Sequence, residues 1–360
     1  MGNLEIGWMG TASQRRWGMI ADDLTGSCDA GAAFAAQGFE TRVLLELWPE
    51  VVKEAELTVV STESRDDAAD DAAEKAAAAC RWMGERNISV LFKKIDSVLR
   101  GNIEAEVAAV MGACGFGSAV LTPAFPAMGR TVRQGALHVF GKQPDYGPDL
   151  ETMFLSRESV SVEDAETDED LAVIAEAALA RSPVPLLAGS GGLAGQVART
   201  LARRCGKPAA DDASGASFSS RPPKSSLPIW LVIGSRHPST MAQLGYLEDK
   251  RLFSGADELV LLRVPLEAFD ENAVRPAAEA VRRGMVGALV LSGGDTARLL
   301  CGALAADAIH LGGEVLPGIP WGRLEGGLAD GTTVVTKSGG FGGPDVLLRV
   351  VDSLKEKEQA

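Results

Sequence analysis

Short apolar runs alternate with longer, alanine-rich amphipathic stretches along the first half of the chain. The apolar runs are rich in leucine and β-branched residues, and they lie at 17–20, 42–47, 57–61, 90–95, 119–122 and 185–188. The stretches between them have helical length and periodicity, and they lie at 22–37, 66–86, 103–111, 171–180 and 193–203. Strands that alternate with helices of this length predict an α/β fold with a mostly parallel sheet flanked by helices.

The acidic run at 163–170 has two interpretations, a metal site or the start of the helix predicted at 171–180. Thr167 can cap this helix, because Asp170 follows three residues later in a capping-box spacing. Carboxylates are also favourable at the positive end of a helix dipole. We therefore expect a solvated helix start here.

The alternation stops at 206–228, where the chain is rich in Ser, Pro, Ala and Asp and shows no apolar period. It then resumes with predicted strands at 229–233, 258–264, 288–291 and 332–336 and predicted helices at 267–283 and 296–304. This break predicts two α/β domains, at 1–205 and 229–360, joined by a linker at 206–228. At 360 residues the chain is long enough for two domains of ordinary size.

The charge of the chain excludes several classes of partner. Thirty-five Lys and Arg residues against 49 Asp and Glu give a net charge of −14, which repels nucleic-acid backbones and anionic membrane surfaces. Five scattered cysteines without a C-x-x-C spacing predict reduced thiols, not a disulfide framework or a zinc site. No apolar run reaches the roughly 20 residues of a membrane span, and we expect a cytoplasmic protein.

Two adjacent carboxylates follow the first predicted strand. In open parallel sheets, ligands bind at the carboxyl ends of the strands, and Asp22 and Asp23 lie at such an end. Neighbouring carboxylates repel each other unless a cation, a substrate hydroxyl or backbone amides compensate them, so they predict proton or hydroxyl chemistry. The alternative is that one of them caps the following helix.

A local group of cations follows the strand at 90–95. Lys94, Asp96, Ser97 and Arg100 lie within a few residues of one another, and the guanidinium of Arg100 has the planar shape that suits a carboxylate. A surface ion-pair loop is the alternative. Arg130 ends a proline-stiffened loop after the strand at 119–122, where a purely structural turn is an equal interpretation.

Three glycine- or hydroxyl-bearing loops follow predicted strands in the second half. Glycine lets a polyphosphate approach backbone amides closely, although turn-forming glycine is more common. The candidate residues of these loops are Ser235, Ser239, Gly293, Gly294, Asp295, Thr296, Gly339, Gly340 and Gly342. The chain has neither a Walker A motif nor a dinucleotide fingerprint, and its histidines show no metal-ligand spacing.

Taken together, these motifs resemble the four-carbon acid sugar kinase family. The resemblance rests on motifs in the family's order: Ala21-Asp22-Asp23-Leu24-Thr25-Gly26, Lys94-Ile95-Asp96-Ser97 with Leu99-Arg100-Gly101, Pro123-Ala124-Phe125-Pro126 with Gly129-Arg130-Thr131, Ser292-Gly293-Gly294-Asp295-Thr296, Pro317-Gly318-Ile319-Pro320 and Lys337-Ser338-Gly339-Gly340-Phe341-Gly342. The chain departs from the family in two places. It is shorter between Gly141 and Val160, and Arg236-His237-Pro238 lies in the first of the three loops of the second half.

The resemblance implies an ATP-dependent kinase acting on the terminal hydroxyl of a small sugar acid such as threonate, erythronate or 3-oxo-tetronate. The first domain would bind the acid and the second the ATP, with the active site in the cleft between them. Asp22 or Asp23 would be the base, and Lys94, Asp96, Ser97, Arg100 and Arg130 would bind the acid. The second-half loops would bind ATP, with Mg²⁺ held mainly by water and by Asp295. A sugar-acid oxidoreductase or isomerase and a non-catalytic binding protein are the alternatives, and a homodimer is left open.

Overall fold

The computed structural model describes residues 16–46, 49–50, 52–144, 150–154, 158–207, 221–250, 252–253, 258–265, 267 and 269–355. It divides into two compact units. The first holds the residues up to Thr41 together with Leu47–Ser214, and the second holds Arg42–Glu46 together with Gly215–Ala360. Both units are α/β, so the predicted fold class is confirmed.

The described strands and helices follow the predicted alternation closely. In chain order the strands are β1 (Trp17–Ala21), β2 (Thr41–Leu44), β3 (Leu57–Ser61), β4 (Ser89–Lys94), β5 (Ala119–Thr122), β6 (Arg130–Arg133), β7 (Ala136–Val139), β8 (Val160–Val162), β9 (Leu186–Gly189), β10 (Ile229–Ile233), β11 (Leu259–Arg263), β12 (Ala288–Ser292), β13 (Ala308–Leu316), β14 (Ile319–Glu325) and β15 (Thr333–Lys337). The helices are α1 (Leu24–Ala35), α2 (Ala69–Glu85), α3 (Ile103–Cys114), α4 (Leu150–Met153), α5 (Asp168–Leu179), α6 (Gly191–Arg204), α7 (Pro238–Asp249), α8 (Glu271–Arg282), α9 (Gly294–Ala303) and α10 (Val346–Leu354).

Parallel strands form the sheet of the first unit in the order β3-β1-β4-β9-β5-β8. The registers of β1 place Ala21 opposite Ser61 of β3 and Ile20 opposite Lys93 of β4. The residues that follow these three strands therefore begin at the same edge of the sheet. Every residue of β1 is buried, as a strand covered on both faces requires. Within this unit α2 packs against α3, and α6 packs against α1 and α5.

Two short features of the first unit complete it. The capping box of α5 is confirmed, because the Thr167 side chain accepts from the Asp170 amide and the Asp170 carboxylate accepts from the Thr167 amide. Strands β6 and β7 form a separate antiparallel hairpin.

Two predictions fall wholly or partly on residues that the structure does not describe. The expected shortening between Gly141 and Val160 includes residues 145–149 and 155–157, and the predicted linker falls largely on 208–220; these ranges lie outside the described residues.

The sheet of the second unit is parallel on one side and antiparallel on the other. Strands β11, β10, β12 and β15 are parallel neighbours, and β14 runs antiparallel to both β15 and β13. The sequence patterns did not predict β13 and β14. They form a hairpin whose turn carries Pro317 and Gly318, and Gly318 has a φ of +69°, which glycine adopts without strain. Proline and glycine within this stretch hide the alternation typical of strands.

The strand ends of the second unit lie in register. Ile233 at the end of β10 pairs with Ser292 at the end of β12, and Ser292 pairs with Lys337 at the end of β15. The three loops that follow therefore start side by side. Beneath them, apolar side chains of β10, β12, β14 and β15 pack with those of α7 and α10 in one core.

Two further findings concern membrane spans and cysteines. No helix within the described ranges combines the length and the apolar character that crossing a bilayer needs. All five cysteines lie within the described residues, and none of them forms a disulfide.

Leu231 in β10 is fully buried in the core of the second unit, so Leu231→Ala should remove packing that the surrounding side chains cannot replace. We expect a loss of about 2–5 kcal/mol in the free energy of unfolding. Leu227→Ala is the matched control, because Leu227 is 46% exposed, and its effect should stay within about 0.5 kcal/mol. Equilibrium urea unfolding of the full chain measures both values, and equal losses for the two variants would contradict the assignment of the core.

Candidate functional site

Asp22 and Asp23 follow β1 directly and share one guanidinium. Arg65 donates from Nε to Asp22 Oδ2 at 2.7 Å and from Nη2 to Asp22 Oδ1 at 2.9 Å. It also donates from Nη1 to Asp23 Oδ2 at 2.8 Å and from Nη2 to Asp23 Oδ1 at 2.7 Å. All four carboxylate oxygens are thus bound by one planar fork, the geometry in which Arg recognises carboxylates most strongly.

Asp23 also begins α1, which was the structural alternative for this pair. Its Oδ1 accepts from the Gly26 amide at 2.9 Å, and its Oδ2 accepts from the Thr25 hydroxyl at 2.7 Å. The helix therefore starts at Leu24, two residues later than predicted. Capping accounts for the position of Asp23 but not for Asp22, which caps nothing and is more deeply buried.

Arg65 was not among the residues predicted from the sequence. It follows β3, where the chain continues alongside the end of β1: the Thr62 amide donates to the Ala21 carbonyl at 2.8 Å and the Ser64 amide to the Asp22 carbonyl at 3.0 Å. A polar residue just after a strand next to β1 was the available signal. Using that signal requires knowing that β3 pairs with β1.

A third carboxylate, Asp96, completes what we call the acidic cluster, defined as Asp22, Asp23 and Asp96. The Asp96 Oδ1 atom lies 3.8 Å from Arg65 Nη2 and accepts from Arg100 Nη2 at 2.7 Å. Its Oδ2 accepts from the backbone amides of Val98 and Arg100. Next to this loop, a Cβ added to Gly101 would lie 3.2 Å from Asp22 Oδ2, and the φ of Gly101 is +88°. Glycine lets this loop close over Asp22.

Cations keep two members of the acidic cluster, Asp22 and Asp96, ionised. Burial by itself would raise the pKa of Asp22, but the charge and hydrogen bonds of Arg65, with Lys93 and Lys94 further away, hold that pKa below its ordinary value. Burial would likewise raise the pKa of Asp96, and the hydrogen bonds of Arg100 and the charge of Arg65 outweigh it and lower that pKa well below its usual range. Both groups are therefore carboxylates at neutral pH.

The two lysines that end β4, Lys93 and Lys94, have different surroundings. The Lys94 ammonium is 3.1 Å from the Cβ position of Gly26, beside the first turn of α1, and it donates to the Ile95 carbonyl. Lys93 is fully buried and forms a 2.7 Å ion pair with Glu106 of α3. Glu106 also accepts from the Ser64 hydroxyl. This buried pair fixes the segment from which Arg65 extends.

Ser97 and Arg130 were also predicted to bind the acid. Ser97 is buried, 7% exposed, one residue after Asp96. Arg130 begins the β6–β7 hairpin, where it donates to the Met128 carbonyl and its guanidinium lies 5.4 Å from the centre of the Phe140 ring. Their roles toward a substrate stay predictions.

The three loops of the second unit meet one another, and we call them the glycine loops: residues 234–235, 293–296 and 338–342. The amides of Gly234 and Ser235 donate to the Ser292 carbonyl, and the Gly293 amide donates to the Lys337 carbonyl. A Cβ on Gly293 would lie 3.3 Å from the Ser235 nitrogen, and one on Gly339 would collide with the Ser235 hydroxyl. Glycine is required here because the loops approach so closely.

The loop at 338–342 directs its carbonyls and its amides differently. The Lys337 ammonium donates to the carbonyls of Ser338, Gly339 and Phe341 at 2.8, 3.2 and 3.2 Å. Within the described part of the chain, no acceptor is found for the amides of Gly339, Gly340 and Gly342. Four carbonyls of this loop are thus satisfied by side chains of the protein, whereas the amides of Gly339, Gly340 and Gly342 can be donated to an anion.

The remaining predicted residues lie around these loops. Ser239 is in the first turn of α7, where its amide donates to His237 Nδ1 at 3.2 Å. Asp295 is exposed in the first turn of α9, and Thr296 Oγ1 leaves no room for a Cβ on Gly234. The first amides of a helix have no partner within it, so those of α9 add donors to this edge of the sheet.

A cavity of about 150 Å³ adjoins the first glycine loop. Its lining residues are Ile233, Gly234, Ser235, Arg236, Met241, Leu244, Arg263, Val264 and Pro265. Met241 on its wall is 37% exposed. The walls of the cavity combine apolar side chains with Arg236 and Arg263, and the cavity shares Ser235 with the first glycine loop.

We tested whether the described residues could hold Mg²⁺. Among them, no group of three or more His, Cys, Asp or Glu side chains has the arrangement of a metal site. Mg²⁺ that travels with a nucleotide keeps several waters and needs only one or two carboxylates. Asp295, exposed beside the glycine loops, meets that smaller requirement.

Comparison with known families divides the chain in the same way as the chemistry does. Residues 17–155 match the sugar-binding N-terminal domain model, and residues 267–347 match the nucleotide-binding C-terminal domain model. The acidic cluster lies in the first match, and two of the three glycine loops lie in the second.

Similar proteins extend the match over nearly the whole chain. A D-threonate kinase of Bordetella bronchiseptica is 31% identical over 94% of this chain and 98% of that protein. A 3-oxo-tetronate kinase of Methylobacterium radiotolerans is 27% identical over 94% of this chain and 99% of that protein. The crystal structure of a Haemophilus influenzae protein has the same fold, with a TM-score of 0.65 and 20% identity over 92% of this chain and 98% of that one. This chain therefore belongs to the four-carbon acid sugar kinase family.

Proposed function

We propose that this chain transfers the γ-phosphoryl group of ATP to the terminal hydroxyl of a four-carbon sugar acid, of the threonate, erythronate or 3-oxo-tetronate type. Family membership supports kinase activity. The observation that carries the proposal is the meeting of three glycine loops at the ends of adjacent parallel strands, where the amides of Gly339, Gly340 and Gly342 are left for an anion. A polyphosphate is the anion that needs several such donors at once.

The charges of the first unit are balanced so that an acid can approach. Three carboxylates of the acidic cluster face three cations, Arg65, Lys94 and Arg100, while Lys93 is neutralised by Glu106. Without these cations the cluster would repel a substrate carboxylate. In the proposed complex Lys94, Arg100 and Arg130 bind the carboxylate and hydroxyls of the acid, and Ser97 adds a hydroxyl partner.

We assign the base to Asp23 and a supporting role to Asp22. The Asp23 side chain is 14% exposed and that of Asp22 only 4%, so a substrate hydroxyl reaches Asp23 more easily. Asp22 keeps Arg65 in place through two hydrogen bonds. Phosphoryl transfer depends mostly on positioning and charge, so a carboxylate that accepts the hydroxyl proton is a sufficient base.

On the nucleotide side, each part of ATP has a matching feature. The phosphates lie over the amides of Gly339, Gly340 and Gly342. The adenine ring occupies the cavity beside Ser235, whose volume of about 150 Å³ is on the scale of one purine. When bound, Mg²⁺ would be held by Asp295 and water and would offset phosphate charge.

A substrate panel tests the function. The purified chain is incubated with ATP and Mg²⁺ and with D-threonate, D-erythronate, 3-oxo-tetronate or the uncharged polyol threitol, and ADP release and the phosphorylated product are measured. We expect acid-dependent ADP release for at least one acid and none for threitol, because threitol lacks the carboxylate that the cations bind. Nucleotide binding without turnover on any acid would support the non-catalytic alternative and contradict the kinase.

Asp23→Asn should separate catalysis from binding. Asparagine keeps the N-cap of α1, but it cannot accept a proton, so kcat should fall by about 10²- to 10⁴-fold. ATP affinity should change little, because the glycine loops belong to the second unit. Steady-state kinetics and calorimetry measure the two quantities. A variant with the kcat of the unaltered chain would show that Asp23 is not the base.

Met241→Trp should fill the cavity that we assign to the adenine ring of ATP. Overpacking a site costs about 1–3 kcal/mol, which corresponds to a rise of roughly 5- to 150-fold in the Kd of ATP. The Kd of tripolyphosphate, which has no base, should stay unchanged. Met285→Trp is the matched control, because Met285 is 54% exposed in the same unit and outside the cavity lining. Equal ATP affinity for the two variants would show that the adenine ring binds outside this cavity.

A further inference from the structure

We propose that Lys337 is the positioning residue of the 338–342 loop: its ammonium draws the loop carbonyls to one side, leaves the amides to the phosphates and places a positive charge behind them. This inference rests on the proposed function, because it concerns how the loop binds a nucleotide. Neither the sequence motifs nor the family resemblance assigned a role to this lysine.

The Lys337 side chain contacts several residues of the loop at once. The residue is fully buried, and besides the carbonyls of Ser338, Gly339 and Phe341 its ammonium lies 3.4 Å from the Thr240 hydroxyl. An ammonium has three protons to donate, so these acceptors use its capacity within the loop itself. No carboxylate among the described residues pairs with it.

Helix α7 completes the arrangement from the other side of the loop. Thr240 donates to the Gly339 carbonyl at 2.8 Å, and Gln243 Nε2 donates to the carbonyls of Phe341 and Gly342 at 3.0 and 2.9 Å. Four carbonyls of the loop are thereby held by side chains. The peptide groups of the loop cannot rotate without breaking these hydrogen bonds. The amides of Gly339, Gly340 and Gly342 therefore stay available to an anion.

The buried charge also couples this loop to protons. Burial lowers the pKa of the Lys337 ammonium to about 7. A bound phosphate favours the charged form of a nearby lysine and raises its pKa. Above neutral pH, nucleotide binding should therefore draw a proton onto Lys337. Without ligand, the unfolded chain holds this proton up to a pKa near 10.5, so the stability of the folded chain should rise with pH between about 7 and 10.

Other titratable groups around the loop must be separated from Lys337. His237 caps α7, and its Nε2 lies 3.3 Å from the Cβ position of Gly340. Asp295 lies in the first turn of α9. The residues that β12 and α7 present to the loop, Ser292, Thr240 and Gln243, do not ionise in this range.

Calorimetry at about pH 8 in two buffers of different ionisation enthalpy tests the proposal on the full chain. The ligands are ADP, tripolyphosphate and adenosine. We expect proton uptake on binding ADP or tripolyphosphate to the unaltered chain. Lys337→Met should abolish that uptake and weaken both phosphate ligands by about 10- to 100-fold, since it removes charged hydrogen bonds. Adenosine binding should not change.

Two control variants make the result specific. Lys355→Met removes a surface lysine of the same unit, which pairs with the exposed Glu258, and it should bind every ligand as the unaltered chain does. His237→Asn removes the nearby imidazole, and proton uptake should persist.

The outcomes separate this inference from the proposed function. If Lys337→Met binds tripolyphosphate as tightly as the unaltered chain, the role of Lys337 is refuted while the kinase proposal stands. If the unaltered chain binds neither ADP nor tripolyphosphate, both fail. If Lys337→Met does not fold, the unaltered and His237→Asn chains decide: the absence of proton uptake, or its loss with His237, overturns the proposal.

Discussion

The fork of hydrogen bonds from Arg65 is the constraint on which the acidic cluster depends. Two adjacent carboxylates at the end of a buried strand would repel each other, and burial alone would favour their neutral forms. Arg65 binds all four of their oxygens, and the lowered pKa of Asp22 follows from that contact. Asp22 is therefore held as an anion although it is buried at the end of the strand.

Contacts of the preceding residue, Ser64, fix the position of Arg65. Glu106 joins Lys93 of β4 to Ser64 through a buried ion pair and a hydrogen bond, and Asn102 donates to the Ser64 and Asp67 carbonyls. A buried ion pair adds little net stability once its desolvation is counted, but removing one partner is costly. This ion pair matters for geometry, because with the Ser64 hydrogen bond it connects strand β4, helix α3 and the loop that follows β3. The second unit uses a buried lysine similarly, to hold a loop.

The sequence predicts the strands of this fold well and the contacts of its site less well. Strands at Leu57–Ser61 and Ile229–Ile233 have the predicted bounds, because buried parallel strands are short continuous apolar runs with clear ends. The hairpin of β13 and β14 was missed because Pro and Gly interrupt its pattern. Asp22 and Asp23 could be recognised from their position after a strand, whereas Arg65 could not, since its role depends on β3 pairing with β1.

The same limit explains why the glycine pattern was ambiguous. Gly293 and Gly342 have φ values of +108° and +82°, so glycine at these two positions allows a backbone conformation that other residues rarely adopt. Gly234 and Gly339 are needed for another reason, because a Cβ on either would collide with a neighbouring loop. Turn formation and close approach therefore both operate, and neither by itself indicates phosphate binding. What does indicate it is the fate of the loop carbonyls. Lys337, Thr240 and Gln243 bind four of these carbonyls, so the amides of Gly339, Gly340 and Gly342 are left for a ligand, and only the folded structure reveals that division.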